Sequence, residues 1–210
     1  WAAHADDLVN GEGLLWRIAK PGVAPSYLYG TMHSTNDGAM RLAREAAPYA
    51  EQASAVATEL GAFDAAQKVE IGAKMLREAL SSEKDTWAGL IEGEDARRVE
   101  AMLQDKGAPP EMAHHLKLWM LAITASLPKC EIEGQALGLP EVDQSFAEIG
   151  AARKVPVVGL ESVDEQLRAI ASIPDPLAAD MLKTVARGGG LADGGYATLL
   201  SLYLQKKPAA

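Results

Sequence analysis

Four residues of this 210-residue chain have types and surroundings that could do chemistry: His33, Glu59, Asp143 and Glu161. His33 closes the run Ser26-Tyr27-Leu28-Tyr29-Gly30-Thr31-Met32, three residues after a glycine that would let a strand end turn sharply or admit a close neighbour. Glu59 and Glu161 end two further apolar runs, Ala55 to Thr58 and Val155 to Leu160. If the three strands share a sheet, the side chains converge on one edge, where α/β proteins tend to carry their chemistry. A neutral imidazole with carboxylates is a workable ligand set for a divalent ion, and such an ion activates water for hydrolysis. Asp143 sits beside Val142 and three residues before Phe146, at the margin of an expected buried face, where an acid needs a partner or solvent. Plainer readings stand beside these: a turn hydrogen bond for His33, an exposed charge for Glu59, and helix N-terminal charges for Asp143 and Glu161.

Other leads are weaker. His114 and His115 are adjacent, and neighbours on a helix point about 100° apart, so the pair does not chelate one ion. Gly188-Gly189-Gly190 follows a helix rather than a strand and lacks the Gly-Lys-Ser/Thr of a phosphate loop, so it reads as a helix stop. No Gly-x-Ser-x-Gly elbow is present, and Cys130 is the single cysteine, which excludes an internal disulfide.

The elements that must position these groups follow from periodicity and punctuation. Residues 1–12 read as a loosely held opening segment. Residues 14–19 and 26–32 read as strands joined through Pro21, Gly22 and Pro25 into a hairpin. After a turn at Asn36-Asp37-Gly38, residues 42–53 read as a helix and 55–60 as a strand. Residues 63–127 are helical throughout, over 68–80, 95–105 and 110–127. In the last of these Met112, Leu116, Trp119 and Ile123 share one face. Residues 139–149 return to helix and 155–160 to strand. Ser162 with Glu165 has the capping-box pattern opening a helix over 163–173. Asp175-Pro176 opens another helix over 177–187, residues 197–205 form the last, and 206–210 read as a frayed tail. The expected fold is α/β (α+β). A central mixed sheet begins with the N-terminal hairpin and is flanked by helices, and residues 63–127 form a helical insertion or cap within a single domain over 1–210.

A formal charge of −9, from 29 acidic and 20 basic residues, argues against nucleic acid and anionic membranes as main partners. The most apolar run, Leu118 to Leu127, is well short of the ~20 residues that span a bilayer, so no membrane insertion is expected.

Several stretches together resemble the TraB/PrgY/GumN family, to which the TIKI Wnt-cleaving proteases are related. They are Leu15-Trp16-Arg17-Ile18, Ser26 to His33, Ala57-Thr58-Glu59-Leu60, Trp119-Met120-Leu121, Val142-Asp143, and Val157 to Ser162 with Glu165-Gln166-Leu167. Gly30-Thr31-Met32-His33 matches the family's Gly-x-x-His motif after a Tyr-Leu-Tyr strand. The resemblance implies a metal-dependent hydrolase of the peptidase type. His33 and Glu59 would lie at a divalent ion (Mn²⁺, Co²⁺ or Zn²⁺), Asp143 and Glu161 would be catalytic, and Tyr29, Gly30 and Thr31 would contact a peptide or small-molecule substrate. A non-catalytic peptide-binding or regulatory module using the same cleft is the alternative. GumN-type relatives are often exported, so a periplasmic or secreted location is expected for a chain that begins at Trp1. The family usually carries a second Gly-x-x-His near its C-terminus. Of His4, His33, His114 and His115 only His33 fits that spacing, so the expectation is a native chain continuing past Ala210 or a divergent member.

Overall fold

The computed structural model describes residues 11–82, 85–189 and 193–208. Of the expectations above, those for residues 1–10, for Gly190 and for the last two residues of the tail lie outside the described residues. Along the chain run β1 (Leu15–Ile18), β2 (Ser26–Tyr29), α1 (Asp37–Gln52), β3 (Val56–Thr58), α2 (Ala65–Ala79) and α3 (Gly93–Asp105). There follow α4 (Pro110–Ala113), α5 (Leu118–Ser126), α6 (Lys129–Ala136) and α7 (Val142–Ala152). The chain then continues through β4 (Val157–Gly159), α8 (Val163–Ala171), α9 (Asp175–Ala186) and α10 (Asp193–Leu204). The fold is mixed α/β and dominated by helix. It divides into two compact units, one formed by residues up to Ala62 with Gly134–Leu160 and the chain from Ala197 onward, the other by Phe63–Glu133 with Glu161–Tyr196.

In the first unit β1 and β2 form the expected antiparallel hairpin, with Trp16 opposite Leu28 and Ile18 opposite Ser26. Gly22, with φ of 75°, makes the turn that a side chain would strain. The remaining strands, β3 and β4, pair in parallel as a separate sheet, Val56 opposite Val157 and Thr58 opposite Gly159. Among the described residues the strands therefore divide between two small sheets, where the sequence suggested one central sheet. Short strands of three and four residues expose much of their surface, and helices supply the burial. Helix α1 buries Ala39, Met40, Leu42, Ala43 and Ala46 in a core shared with Leu14, Val56, Val142, Phe146 and Tyr203. It starts earlier than its periodicity suggested, because Asn36 caps it by accepting from the backbone N–H of Gly38 at 2.8 Å and of Ala39 at 3.4 Å. Gly150 of α7 is where that helix meets the parallel pair: a Cβ there would lie 2.7 Å from Val157 Cγ2 and 3.1 Å from Val56 Cγ2.

The second unit is helical, built on a core of Trp87, Leu103, Leu118, Leu121 and Leu182 with smaller residues between them. Helix α5 is apolar nearly all round and is covered by other helices, as such a helix must be. The single helix expected over 110–127 is instead two, α4 and α5, separated by an extended Lys117. Tertiary hydrogen bonds claim the backbone between them. Lys117 N–H donates to the Ala79 carbonyl at 2.8 Å, and the carbonyls of His114 and His115 accept from Thr86 N–H and Ser81 N–H at 3.1 and 2.9 Å. Met112 consequently leaves the shared apolar face and is 49% exposed, whereas Trp119 is buried. The capping box of α8 is present in both directions between Ser162 and Glu165.

Candidate metal centre

Beyond β2 the chain passes through Gly30 and Thr31 and reaches His33 one turn before the Asn36 cap. Gly30 keeps an ordinary backbone conformation, and a Cβ there would meet Trp16 at 3.6 Å, a normal contact. The sharp turn or close approach expected of this glycine is therefore not what it provides. Its carbonyl matters instead, accepting a hydrogen bond from the Tyr203 hydroxyl at 2.9 Å. Next to His33, Ser34 is fully buried, and its Oγ accepts from Asn36 N–H at 3.0 Å. Buried Ser34 and the Asn36 cap thus fix the chain on one side of the histidine, and the Gly30 carbonyl fixes it on the other.

The imidazole lies between carboxylates from two directions. Nε2 is 3.2 Å from Glu59 Oε2, which follows β3. Nδ1 is 3.4 Å from Asp143 Oδ1 and 3.5 Å from Glu141 Oε2, both at the N-terminus of α7. His33, Glu141 and Asp143 each place one ligand atom within 4.8 Å of the other two, and these three could hold a metal ion. Glu59 stands at the opposite ring nitrogen and outside that trio. One ion cannot occupy both sides of an imidazole, so His33 and Glu59, expected to share the ion, are divided between the two nitrogens.

Glu141 is the residue that sequence reasoning missed. A helix beginning at 139 would have carried its side chain away around the first turn. The helix in fact begins at Val142, with Glu141 extended (φ −92°, ψ 163°) and Val142 fully buried between the two acids. The signal was present in Leu139-Pro140-Glu141, because the residue before a proline is pushed out of helical conformation and α7 therefore starts beyond it.

The electrostatics fit a cation. The Asp143 and then the Glu141 carboxylate beside Nδ1 push the His33 imidazole up to about 11, against a smaller opposing effect of burial. For Asp143 burial is the largest influence and raises its carboxyl, but the adjacent His33 ring and its charge together outweigh it and hold the group below the ordinary value. That pairing is loose: at 3.4 Å Asp143 Oδ1 is within ion-pair reach of Nδ1, yet it is buried and accepts no well-aligned hydrogen bond. A buried carboxylate oxygen without an aligned donor is costly, and three carboxylates facing one imidazole carry excess negative charge. A divalent ion between Nδ1 and the two α7 carboxylates would relieve both, and nitrogen with oxygen donors suits Mn²⁺, Co²⁺ or Zn²⁺.

The remaining sequence-predicted residues lie as follows. Tyr29 is half-buried, its ring 4.9 Å from Phe146, and Thr31 is exposed. Glu161 opens the other compact unit directly after Leu160, and its Oε1 accepts from Gln166 Nε2 at 3.4 Å. In that same unit His114 is held between Asp85, 2.9 Å from Nδ1, and Glu100, 3.4 Å from Nε2, and its ring lies tilted against Trp87 with centroids 4.3 Å apart. Acids on opposite ring nitrogens do not make a chelating set, and the two adjacent histidines do not form one either.

Neither the curated proteins nor the solved structures contain a significant match to the chain. The model of the TraB/PrgY/gumN family matches residues 14–210, which covers both compact units, including His33, Glu59, Glu141 and Asp143. The chain belongs to the TraB/PrgY/gumN family.

Proposed function

We propose that the chain is a metal-dependent hydrolase of the peptidase type, acting on a peptide or a similar small substrate, with His33, Glu141 and Asp143 holding the ion. The observation that carries this reading is the His33–Glu141–Asp143 trio around a buried Asp143 oxygen with no aligned hydrogen-bond donor. When bound, a divalent ion supplies Lewis acidity and lowers the pKa of a coordinated water. Glu59, at Nε2 of the same ring, accepts the imidazole N–H and keeps Nδ1 turned toward the α7 acids, as carboxylates beside metal-bound histidines commonly do. This replaces a ligand role for Glu59 with an orienting one. Asp143 and Glu141 present more oxygens than three coordination bonds need, so a free carboxylate oxygen is available as proton acceptor. For Glu161 as a catalytic residue, for substrate contact by Tyr29, Gly30 and Thr31, and for a periplasmic or secreted location, the support is the family resemblance.

A second reading, a peptide-binding module without turnover, is favoured by one observation: the His33 side chain is 59% exposed, so water is not excluded from the imidazole. Two measurements decide between these. Calorimetric titration with Mn²⁺, Co²⁺ and Zn²⁺ should show one site in the native chain and none in His33→Ala. Cleavage of a peptide library that stops on chelation and returns on adding the ion supports the hydrolase. Peptide retained but uncut, with or without metal uptake, supports the module, and no uptake at all overturns the hydrolase.

A further inference from the structure

Tyr203 has no place in the reading above, yet it reaches the site from the far end of the chain. It lies on α10 and is buried in the core shared with Leu14, Val142 and Phe146. Its hydroxyl donates to the Gly30 carbonyl at 2.9 Å and lies 3.3 Å from the Tyr29 hydroxyl. The bond spans 173 residues of sequence and lands on the backbone just past the end of β2, three residues before His33. The same residue is tied on its N-terminal side as well, since Gly30 N–H donates to the Leu14 carbonyl at 2.8 Å. The end of α10 and the residues just after it are docked at two further points: Leu204 lies over Gly38, where a Cβ would come within 2.9 Å of it, and Gly13 N–H donates to the Lys206 carbonyl at 2.7 Å. Burial is the main reason the Tyr203 phenol is held far above its usual range, with the neighbouring Tyr29 hydroxyl adding to it, so the hydroxyl is a fixed neutral donor.

We propose that Tyr203 is a positioning residue for the candidate metal centre: its hydroxyl anchors the Gly30 carbonyl and so sets where His33 stands relative to Glu141 and Asp143. The proposal rests on the metal reading for its functional meaning and on the Gly30 hydrogen bond for its geometry. A half-buried carbonyl without its donor seeks another partner, and the segment 30–33 shifts to find one. Coordination tolerates little of that shift, and partners of this kind outside the ligand set commonly alter metal affinity by about 10–100-fold.

The test uses Tyr203→Phe, which keeps the ring and removes only the hydroxyl. Tyr49→Phe, an exposed tyrosine stacked on Tyr27 in the same unit, is the control. In the metal-free protein, Tyr203→Phe should move the His33 ring cross-peaks in a ¹H–¹⁵N spectrum while those of His114 stay in place. Tyr49→Phe should move neither. In calorimetry with Mn²⁺ or Zn²⁺, Tyr203→Phe should bind at least about tenfold more weakly than the native chain, with far-UV circular dichroism unchanged. Unchanged His33 cross-peaks overturn the proposal whatever the metal result. Moved cross-peaks with unchanged affinity also overturn it as a positioning role for metal. If the native chain takes up no ion, the metal reading falls, and the cross-peaks alone then decide whether Tyr203 holds the His33 segment.

Discussion

At the scale of single residues, the two faces of one imidazole separate two jobs, and substitution distinguishes them. On the proposed reading Glu141→Gln removes a ligand oxygen and Glu59→Gln only weakens the partner at Nε2, so calorimetry should show the larger loss of metal affinity for Glu141→Gln. For Glu59→Gln the loss should fall within the about 10–100-fold expected of an orienting partner. An equal or greater loss for Glu59→Gln would reverse the assignment. Protonation competes with metal at His33. The Asp143 and then the Glu141 carboxylate beside Nδ1 push its imidazole up to about 11, so at neutral pH the metal-free ring carries a proton that coordination at Nδ1 must expel. Apparent affinity should therefore strengthen as pH rises from neutral toward that value, and calorimetry in buffers of different ionisation enthalpy should detect close to one proton released per ion near pH 7. Gly30-x-x-His33 was legible because its residue types and spacing are local. Glu141 was not, because its role depends on which residue starts α7.

At the scale of elements, the site hangs on how two helices begin. Asn36 caps α1 only three residues after His33, and replacing it with alanine removes two hydrogen bonds to orphan N–H groups. Asn36→Ala should cost about 1 kcal/mol in denaturant unfolding and should weaken metal binding as well, since the same cap fixes the chain beside His33. At α7, Gly150→Ala pits better helix propensity, worth about 1 kcal/mol, against a Cβ placed 2.7 Å from the stiff Val157 side chain. Overpacking of this kind costs about 1–3 kcal/mol, and with Val56 closing the other side the clash should win, lowering the melting temperature. A rise in melting temperature would show that α7 and the parallel pair can part at no cost. Local signals read well wherever a helix start is chemically marked, as with the Ser162–Glu165 box. They failed between α4 and α5, where the apolar period runs on but hydrogen bonds from Thr86, Ser81 and Lys117 break the helix.

At the scale of the molecule, two cores are built from interleaved stretches of chain, and the three candidate ligands all belong to one of them. Leu103→Ala, in the fully buried core of the helical unit, should cost about 3 kcal/mol yet leave metal affinity at 25 °C within twofold, measured by calorimetry below the melting transition. A parallel loss of affinity would mean that the helical unit supports the ligands. That unit has its own pH dependence through His114. The hydrogen bond to Asp85 comes first among the causes that raise its pKa, burial opposes it, and the bond to Glu100 adds to it. A histidine raised on folding stabilises fully below its ordinary value of about 6.5 and loses that contribution as pH climbs through its folded value. His114→Gln should accordingly flatten a decline in denaturant stability on the alkaline side of 6.5. The sequence by itself determined the α/β class, the hairpin, most helices and the family, because periodicity, caps and a Gly-x-x-His motif are properties of neighbouring residues. Only the tertiary structure decided that Glu141 joins Asp143 at one imidazole nitrogen and Glu59 takes the other. It also decided that a tyrosine from the last helix holds the carbonyl of Gly30. These are contacts between residues more than twenty positions apart, and which of them form depends on how the helices pack.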